Sequence, residues 1–337
     1  MSPSARVTNL TLAGALLLVF ATGAGAVATG SPGGRWVPVA HGVAGMAVIL
    51  LIPWKSRVVR AGLRRARHSR WASLALAALA LAALLTGVLH ATGLVRSAGG
   101  LLVLWLHIAV ALALLPLLAW HVVVRRARPR RRDLSRRTLL RTGLLGAASA
   151  GLYLGAGSAA GLARLPGPRR RFTGSYETGS FNPAAMPDTI WLNDAVPSVD
   201  AGRWRLVVAD GAGSYVLTLA DLAGFDARLR ATLDCTSGWF ARQDWTGVPV
   251  GALLRSTGLA RSLLVGSSTG YQVRLPVSDA DRLLLATAAG GVPLSPGHGF
   301  PLRLVAPGRR GFWWVKWVDR IELRPEPWWL QPPFPLR

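Results

Sequence analysis

The sequence predicts an α-helical membrane bundle of five transmembrane helices followed by an α+β domain, and three observations predict it. Apolar runs fill the first half of the chain, the positive charge is confined to short loops between those runs, and beyond about residue 172 the texture changes to short strand-like segments.

The spans come first. Apolar stretches near 8–28, 37–54, 71–93, 101–124 and 139–162 approach the roughly 20 residues needed to cross a bilayer. Apart from histidine, none carries an ionisable residue away from its ends, as the cost of charge in hydrocarbon requires.

Charge then orients the spans. The chain has a formal net charge of +24, yet residues 1–170 hold 22 of the 39 Lys and Arg with one acid, Asp133, while residues 171–337 hold 17 against 14 acids. Sixteen of those 22 cations fall between Lys55 and Arg70 or between Arg125 and Arg141, which is the positive-inside pattern of cytoplasmic loops. Nucleic-acid binding needs a basic stripe on a solvated face, and these clusters instead punctuate apolar segments, so no nucleic-acid partner is expected. The N-terminus is then inside, and the loops 29–36 and 94–100 and everything beyond about 163 lie outside. A multi-pass protein of the cytoplasmic membrane follows, with the lipid bilayer as partner and its C-terminal domain extracytoplasmic.

Three regions are expected: a four-helix bundle over 1–134, a signal-like motif with the fifth helix and a linker over 135–170, and a polar domain over 171–337. Ser135-Arg136-Arg137-Thr138-Leu139-Leu140-Arg141 resembles a twin-arginine signal, with Leu139 and Arg141 as mild departures. Such a signal carries already folded proteins, and retention of the fifth helix is expected. Leu165-Pro166-Gly167-Pro168 with Arg169 to Arg171 reads as a stiff linker. Strands are expected within Trp204 to Val208, Tyr215 to Leu219, Tyr271 to Val277, Pro301 to Val305 and Phe312 to Val318, and short helices near 249–257 and 278–288. No internal repeat stands out.

Four histidines, His41, His90, His107 and His121, lie in or at the edge of predicted spans, where ionisable residues are functional candidates. His107 and His121 share a helix face, one near each leaflet, and His41 and His90 lie at about the depth of His107. A b-type haem needs two neutral imidazoles from facing helices at one depth, a condition His107 meets with either His41 or His90. His68, in the basic loop, reads as solvated. The His-x13-His spacing resembles membrane cytochrome b subunits.

Cys235 is the only cysteine, which excludes an internal disulfide. It ends an apolar β-like run and precedes Thr236-Ser237-Gly238-Trp239, so its sulfur sits where a loop leaves a strand, a common place for a site. Downstream, His298, Arg303 and Lys316 stand among Gly and Pro residues and offer cationic donors suited to a phosphate.

Together these residues strongly resemble the molybdopterin-binding domain of the sulfite oxidase family, most specifically in HGFPLRLVAPGRRGFWWVKWVDRIEL at 298–323, over a region from about Phe172 to Leu323. The resemblance implies a molybdopterin cofactor with Cys235 as the thiolate ligand of molybdenum, and His298, Arg303 and Lys316 around the pterin phosphate. Sulfite-oxidising members follow their ligand Cys with Asn-Arg-Arg; here the order is Cys-Thr-Ser-Gly-Trp, which removes the Arg contacts an oxyanion wants. The plan is nearer the bacterial exported branch, which includes methionine-sulfoxide reductase. The expected activity is two-electron oxygen-atom transfer on a small-molecule or protein-sulfoxide substrate, with electrons exchanged through haem b and a quinone, and Arg242 or Trp239 lining the substrate pocket. Two rivals stand beside it: a cofactor-free membrane anchor or electron-transfer scaffold, and a Cys/His cell-envelope hydrolase or transpeptidase with Cys235 and His298 as nucleophile and base.

Overall fold

A computed structural model describes residues 4–65, 70–124, 130, 133, 135–191 and 194–332; His68 and parts of both arginine clusters lie outside the described residues. The chain forms two compact units whose main boundary falls between Gly174 and Ser175.

The first unit is helical, and all five expected spans are helices: α1 (Ala5–Ala28), α2 (Trp36–Arg65), α3 (Arg70–Thr92), α4 (Val103–Val124) and α5 (Arg136–Leu162). Four of them are long and apolar enough to cross a membrane by length and composition, namely α1 to α4. The 27-residue α5 has the length, but its Gly/Ala-rich sequence leaves it outside that set. Serines start two of the helices. Ser4 accepts the Val7 amide at 3.3 Å and Ser135 accepts the Thr138 amide at 3.4 Å, each satisfying a donor that the first turn leaves open. Ser135 thereby makes Arg136 and Arg137 the first two residues of α5.

Helix α1 packs along α2, α3 along α4, and α5 along α2. Between the two hairpins the backbones approach only sparsely. Arg6 pairs with Asp133 at 2.8 Å and Lys55 donates to Asn9 at 3.0 Å, so the N-terminal end of α1 meets both basic segments.

The hairpins also correct the reading that no repeat is present. Val37-x3-His41-x12-Trp54 on α2 recurs as Val103-x3-His107-x12-Trp120 on α4, and both helices carry an internal proline, Pro53 and Pro116. Thr22-Gly23 on α1 recurs as Thr86-Gly87 on α3. The repeat escapes a sequence scan because the matched positions are few and scattered among interchangeable apolar residues.

The second unit is α+β. In chain order its strands are β1 (Tyr176–Glu177), β2 (Leu206–Asp210), β3 (Gly213–Leu217), β4 (Ala227–Asp234), β5 (Trp239–Pro249) and β6 (Ser262–Ser267). There follow β7 (Gln272–Pro276), β8 (Leu284–Ala289), β9 (Val292–Pro293), β10 (Arg303–Val305) and β11 (Val318–Arg324). One sheet runs β9-β8-β5-β1, with β4 also on β5 and β10 also on β8; the other runs β3-β2-β11-β6-β7. Pairing is antiparallel except for β1 with β5 and β2 with β11. Strand β6 is buried along its whole length, which its continuous apolar centre Leu263-Leu264-Val265 fits. The core includes Leu206, Trp245, Leu263, Leu275, Leu285, Leu302, Leu304 and Ile321, all fully buried.

Three expectations shift. The 278–288 segment is a 3-10 turn over Val277–Arg282 and then strand β8, and 249–257 is only a 3-10 turn over Val250–Leu253. Phe312 to Val318 is not a strand. It begins as a 3-10 turn, Gly311–Trp313, and passes through Trp317 at φ 52°, a left-handed conformation that a ladder does not accept. The turn brings Gly311 against Cys235, where a side-chain carbon would lie 3.0 Å from the Cys235 Cα.

Candidate functional site

Cys235 sits one residue past the end of β4. Its amide donates to the Trp239 carbonyl at 2.9 Å and its carbonyl accepts from Gly238 at 3.2 Å, closing a tight turn into β5 that Gly238, at φ 95°, permits. Sγ lies 3.0 Å from Ser237 Oγ. The turn is anchored from beneath: Asp234 is buried and takes 2.6 Å hydrogen bonds from Arg310 Nη1 and from Ser175 Oγ, while Arg310 Nη2 reaches the Cys235 carbonyl at 3.2 Å.

A second group of side chains is cationic. Arg303, at the start of β10, is buried between Trp245 and Trp314, its guanidinium carbon 5.6 and 5.9 Å from their rings. Its Nη1 donates to the His298 carbonyl at 3.0 Å, and its buried Nε has no partner among the described residues. Lys316 donates to Thr189 O at 2.9 Å, to Asp188 Oδ1 at 3.2 Å and to the Gly297 carbonyl. Gly299, at φ 108°, holds the two together, since a side-chain carbon there would lie 3.2 Å from the Cβ atoms of both.

Burial pulls the Arg303 guanidinium down to about 10, and burial, with Arg303 alongside, pulls Lys316 down to about 8. Thr189 links the two groups, since its carbonyl accepts from Lys316 Nζ at 2.9 Å and its hydroxyl accepts at 3.0 Å from Trp239 Nε1, at the start of the strand that leaves the Cys235 turn. Two buried cations face a single carboxylate, Asp188, so the site carries excess positive charge that an anionic group would satisfy.

His298 behaves differently from the expectation. Its Nε2 lies 3.0 Å from the Met186 carbonyl, which can only accept, and its Nδ1 lies 2.8 Å from Ser295 Oγ. Burial and then Arg303 lower its pKa, so the neutral ring ties the 295–299 turn to Met186. Both nitrogens are therefore engaged away from Cys235, which removes the base that a Cys/His hydrolase would need. Trp239 is buried and its Nε1 donates to Thr189 Oγ1 at 3.0 Å, whereas Arg242 is exposed further along β5. Sequence reasoning missed Ser237, Asp188 and the Ser175–Asp234–Arg310 network; the positions of Asp234 and Ser237, one and two residues from Cys235, offered a signal.

Comparison with known proteins accords with this arrangement. The oxidoreductase molybdopterin binding domain family matches residues 193–329. The uncharacterized oxidoreductase YuiH of Bacillus subtilis (strain 168) is 35% identical over 136 residues, 38% of this chain and 68% of that protein. The chain belongs to the molybdopterin-binding oxidoreductase family.

This oxidoreductase is also 29% identical to the mitochondrial sulfite oxidase of Homo sapiens over 168 residues, 39% of this chain and 31% of that protein. It thus spans about a third of the length of that relative. The crystal structure of the sulfane dehydrogenase SoxCD from Paracoccus pantotrophus aligns over 39% of this chain and 41% of that one, at 24% identity and a TM-score of 0.36. The family is that of molybdenum-dependent oxidoreductases. The residues present fit its cofactor: a thiol at a strand end, and two buried cations, one of which, Arg303, keeps a buried Nε without a partner among the described residues, as an anionic group would require.

In the first unit the structure brings two of the four expected histidines together. The His41 and His107 rings lie 6.0 Å apart between centroids, at 81° to one another. His90 stands further along α3, near Gly174, and His121 is at the far end of α4 from His107.

Proposed function

We propose that the chain is a membrane-anchored molybdopterin-dependent oxidoreductase that transfers an oxygen atom on the extracytoplasmic side and exchanges electrons through a haem b bundle, with a quinone as the membrane carrier. The observation that carries this reading is the joint placement of Cys235 with Arg303 and Lys316. In it, Cys235 ligates molybdenum, Arg303 and Lys316 hold the pterin phosphate, and His298 fixes the turn beside them. When bound, the molybdenum–pterin group supplies the two-electron chemistry.

The chain's own residues prepare the site. The Asp234–Arg310 pair fixes the turn that carries Cys235, and Ser237 places a hydroxyl against its sulfur. Arg310, the guanidinium bonded to the Cys235 carbonyl, is already neutralised by Asp234. That favours an uncharged substrate such as a sulfoxide over an oxyanion such as sulfite. In the reductive direction a sulfoxide takes two electrons and two protons and leaves as a sulfide and water.

Four apolar helices and the placement of Arg136 and Arg137 at the start of α5 support a cytoplasmic-membrane protein with an exported, folded catalytic domain. The test is turnover by the purified full chain under anaerobic conditions with a reduced viologen dye. Methionine sulfoxide should be reduced, sulfite should not be oxidised, and Cys235→Ser should abolish the reaction. Peptide hydrolysis by metal-free protein would overturn the reading.

A further inference from the structure

The repeat described above places the same four groups twice. Against α1, His41 Nδ1 lies 2.9 Å from the Val19 carbonyl, and the Thr22 hydroxyl donates to the Leu18 carbonyl and lies 3.2 Å from Val19 O; against α3, His107 Nδ1 lies 2.9 Å from the Ala83 carbonyl, and the Thr86 hydroxyl donates to the Ala82 carbonyl at 2.7 Å and lies 3.1 Å from Ala83 O. The glycine after each threonine makes room for the ring. A side-chain carbon on Gly23 would lie 3.0 Å from the His41 ring, and one on Gly87 would lie 3.2 Å from the His107 ring.

This arrangement fixes chemistry as well as position. A carbonyl oxygen can only accept, so each Nδ1 carries the proton and each Nε2 of the neutral ring keeps its lone pair. That is how metal-ligating imidazoles are oriented. With a metal–imidazole distance of roughly 2 Å and a ring radius of about 1 Å, two imidazoles on opposite sides of one metal have centroids about 6 Å apart. The observed separation is 6.0 Å.

We infer that His41 and His107 are the two axial ligands of a single haem iron seated between the α1–α2 and α3–α4 hairpins, with Gly23 and Gly87 as the positions that admit the rings. This rests on the haem-bundle reading and resolves which pair it uses. A bare transition metal would need further protein donors, and no group of three or more His, Cys, Asp or Glu stands together among the described residues. A porphyrin supplies those donors itself and needs only two from the protein. The sparse approach between hairpin backbones, against close packing within each, is the packing that a planar group between them requires. His90 and His121 stand outside the repeat and are not ligands.

The test uses the purified full chain, with haem iron per chain, the absorption spectrum and electron paramagnetic resonance as readouts. One low-spin haem per chain is expected, with the strongly anisotropic signal of near-perpendicular imidazoles. His41→Gly and His107→Gly should each lose the low-spin spectrum, and added imidazole should restore it, which separates ligand loss from misfolding. His90→Ala and His121→Ala should keep it. A low-spin haem that survives His41→Gly but is lost in His90→Ala would overturn the pair and leave the haem bundle standing. Wild-type protein without haem would overturn both, and two haems per chain would contradict the single site.

Discussion

Arg310 Nη1 lies 2.6 Å from Asp234 Oδ1, with both side chains buried and Asp234 immediately before Cys235. The pair joins the turn at Gly311 to the end of β4, and Ser175 adds a third contact at 2.6 Å to the same carboxylate. Removing one partner leaves a buried charge uncompensated. Arg310→Met should therefore cost about 3–5 kcal/mol, read as a lower thermal midpoint, while the double variant with Asp234→Leu should recover part of that loss. Full additivity of the two single losses would show that the residues do not act as a pair.

Ser237 Oγ at 3.0 Å from Cys235 Sγ is a positioning contact. Outer contacts of this kind typically matter about 10- to 100-fold in metal affinity or activity. Ser237→Ala should keep the fold and at least part of the molybdenum, lower kcat by about 10-fold, and shift the molybdenum midpoint potential in a redox titration. An unchanged potential would reduce Ser237 to a spacer.

Lys316 gives a pH signature. Burial holds its folded value at about 8 against an ordinary 10.5, so between those values the unfolded chain binds more protons than the folded one. The stability of cofactor-free protein should rise through that window, and burying the charged ammonium should cost stability below pH 8. Lys316→Met should flatten the rise, measured as unfolding midpoints from pH 7 to 10.5. A bound phosphate should flatten it too, because it favours the charged lysine.

Much of this was legible in the sequence, and the parts that were not have physical causes. The long helices were readable because each contains an uninterrupted apolar run between charged segments, and all five expected segments are helices. The thiol was readable because Cys235 closes an apolar run before Thr-Ser-Gly. Strand β5 was hidden because Arg242, Gln243 and Asp244 interrupt its apolar pattern. Gln243 is nonetheless fully buried, its amide donating to Gly179 O at 2.7 Å. Phe312 to Val318 looked like a strand because its composition is β-rich, whereas its backbone opens in a 3-10 turn and passes through the left-handed Trp317. The hairpin repeat needed the fold, since its signal is a few matched residues held together by carbonyl contacts.

The central claim is that Cys235 binds molybdenum, and metal analysis of the purified chain with its Cys235→Ser variant tests it most directly. The account predicts about one molybdenum per wild-type chain, by the single thiol available, and its loss in the variant with the fold intact by circular dichroism. Molybdenum retained in full by Cys235→Ser, or absent from active wild-type protein, would contradict it.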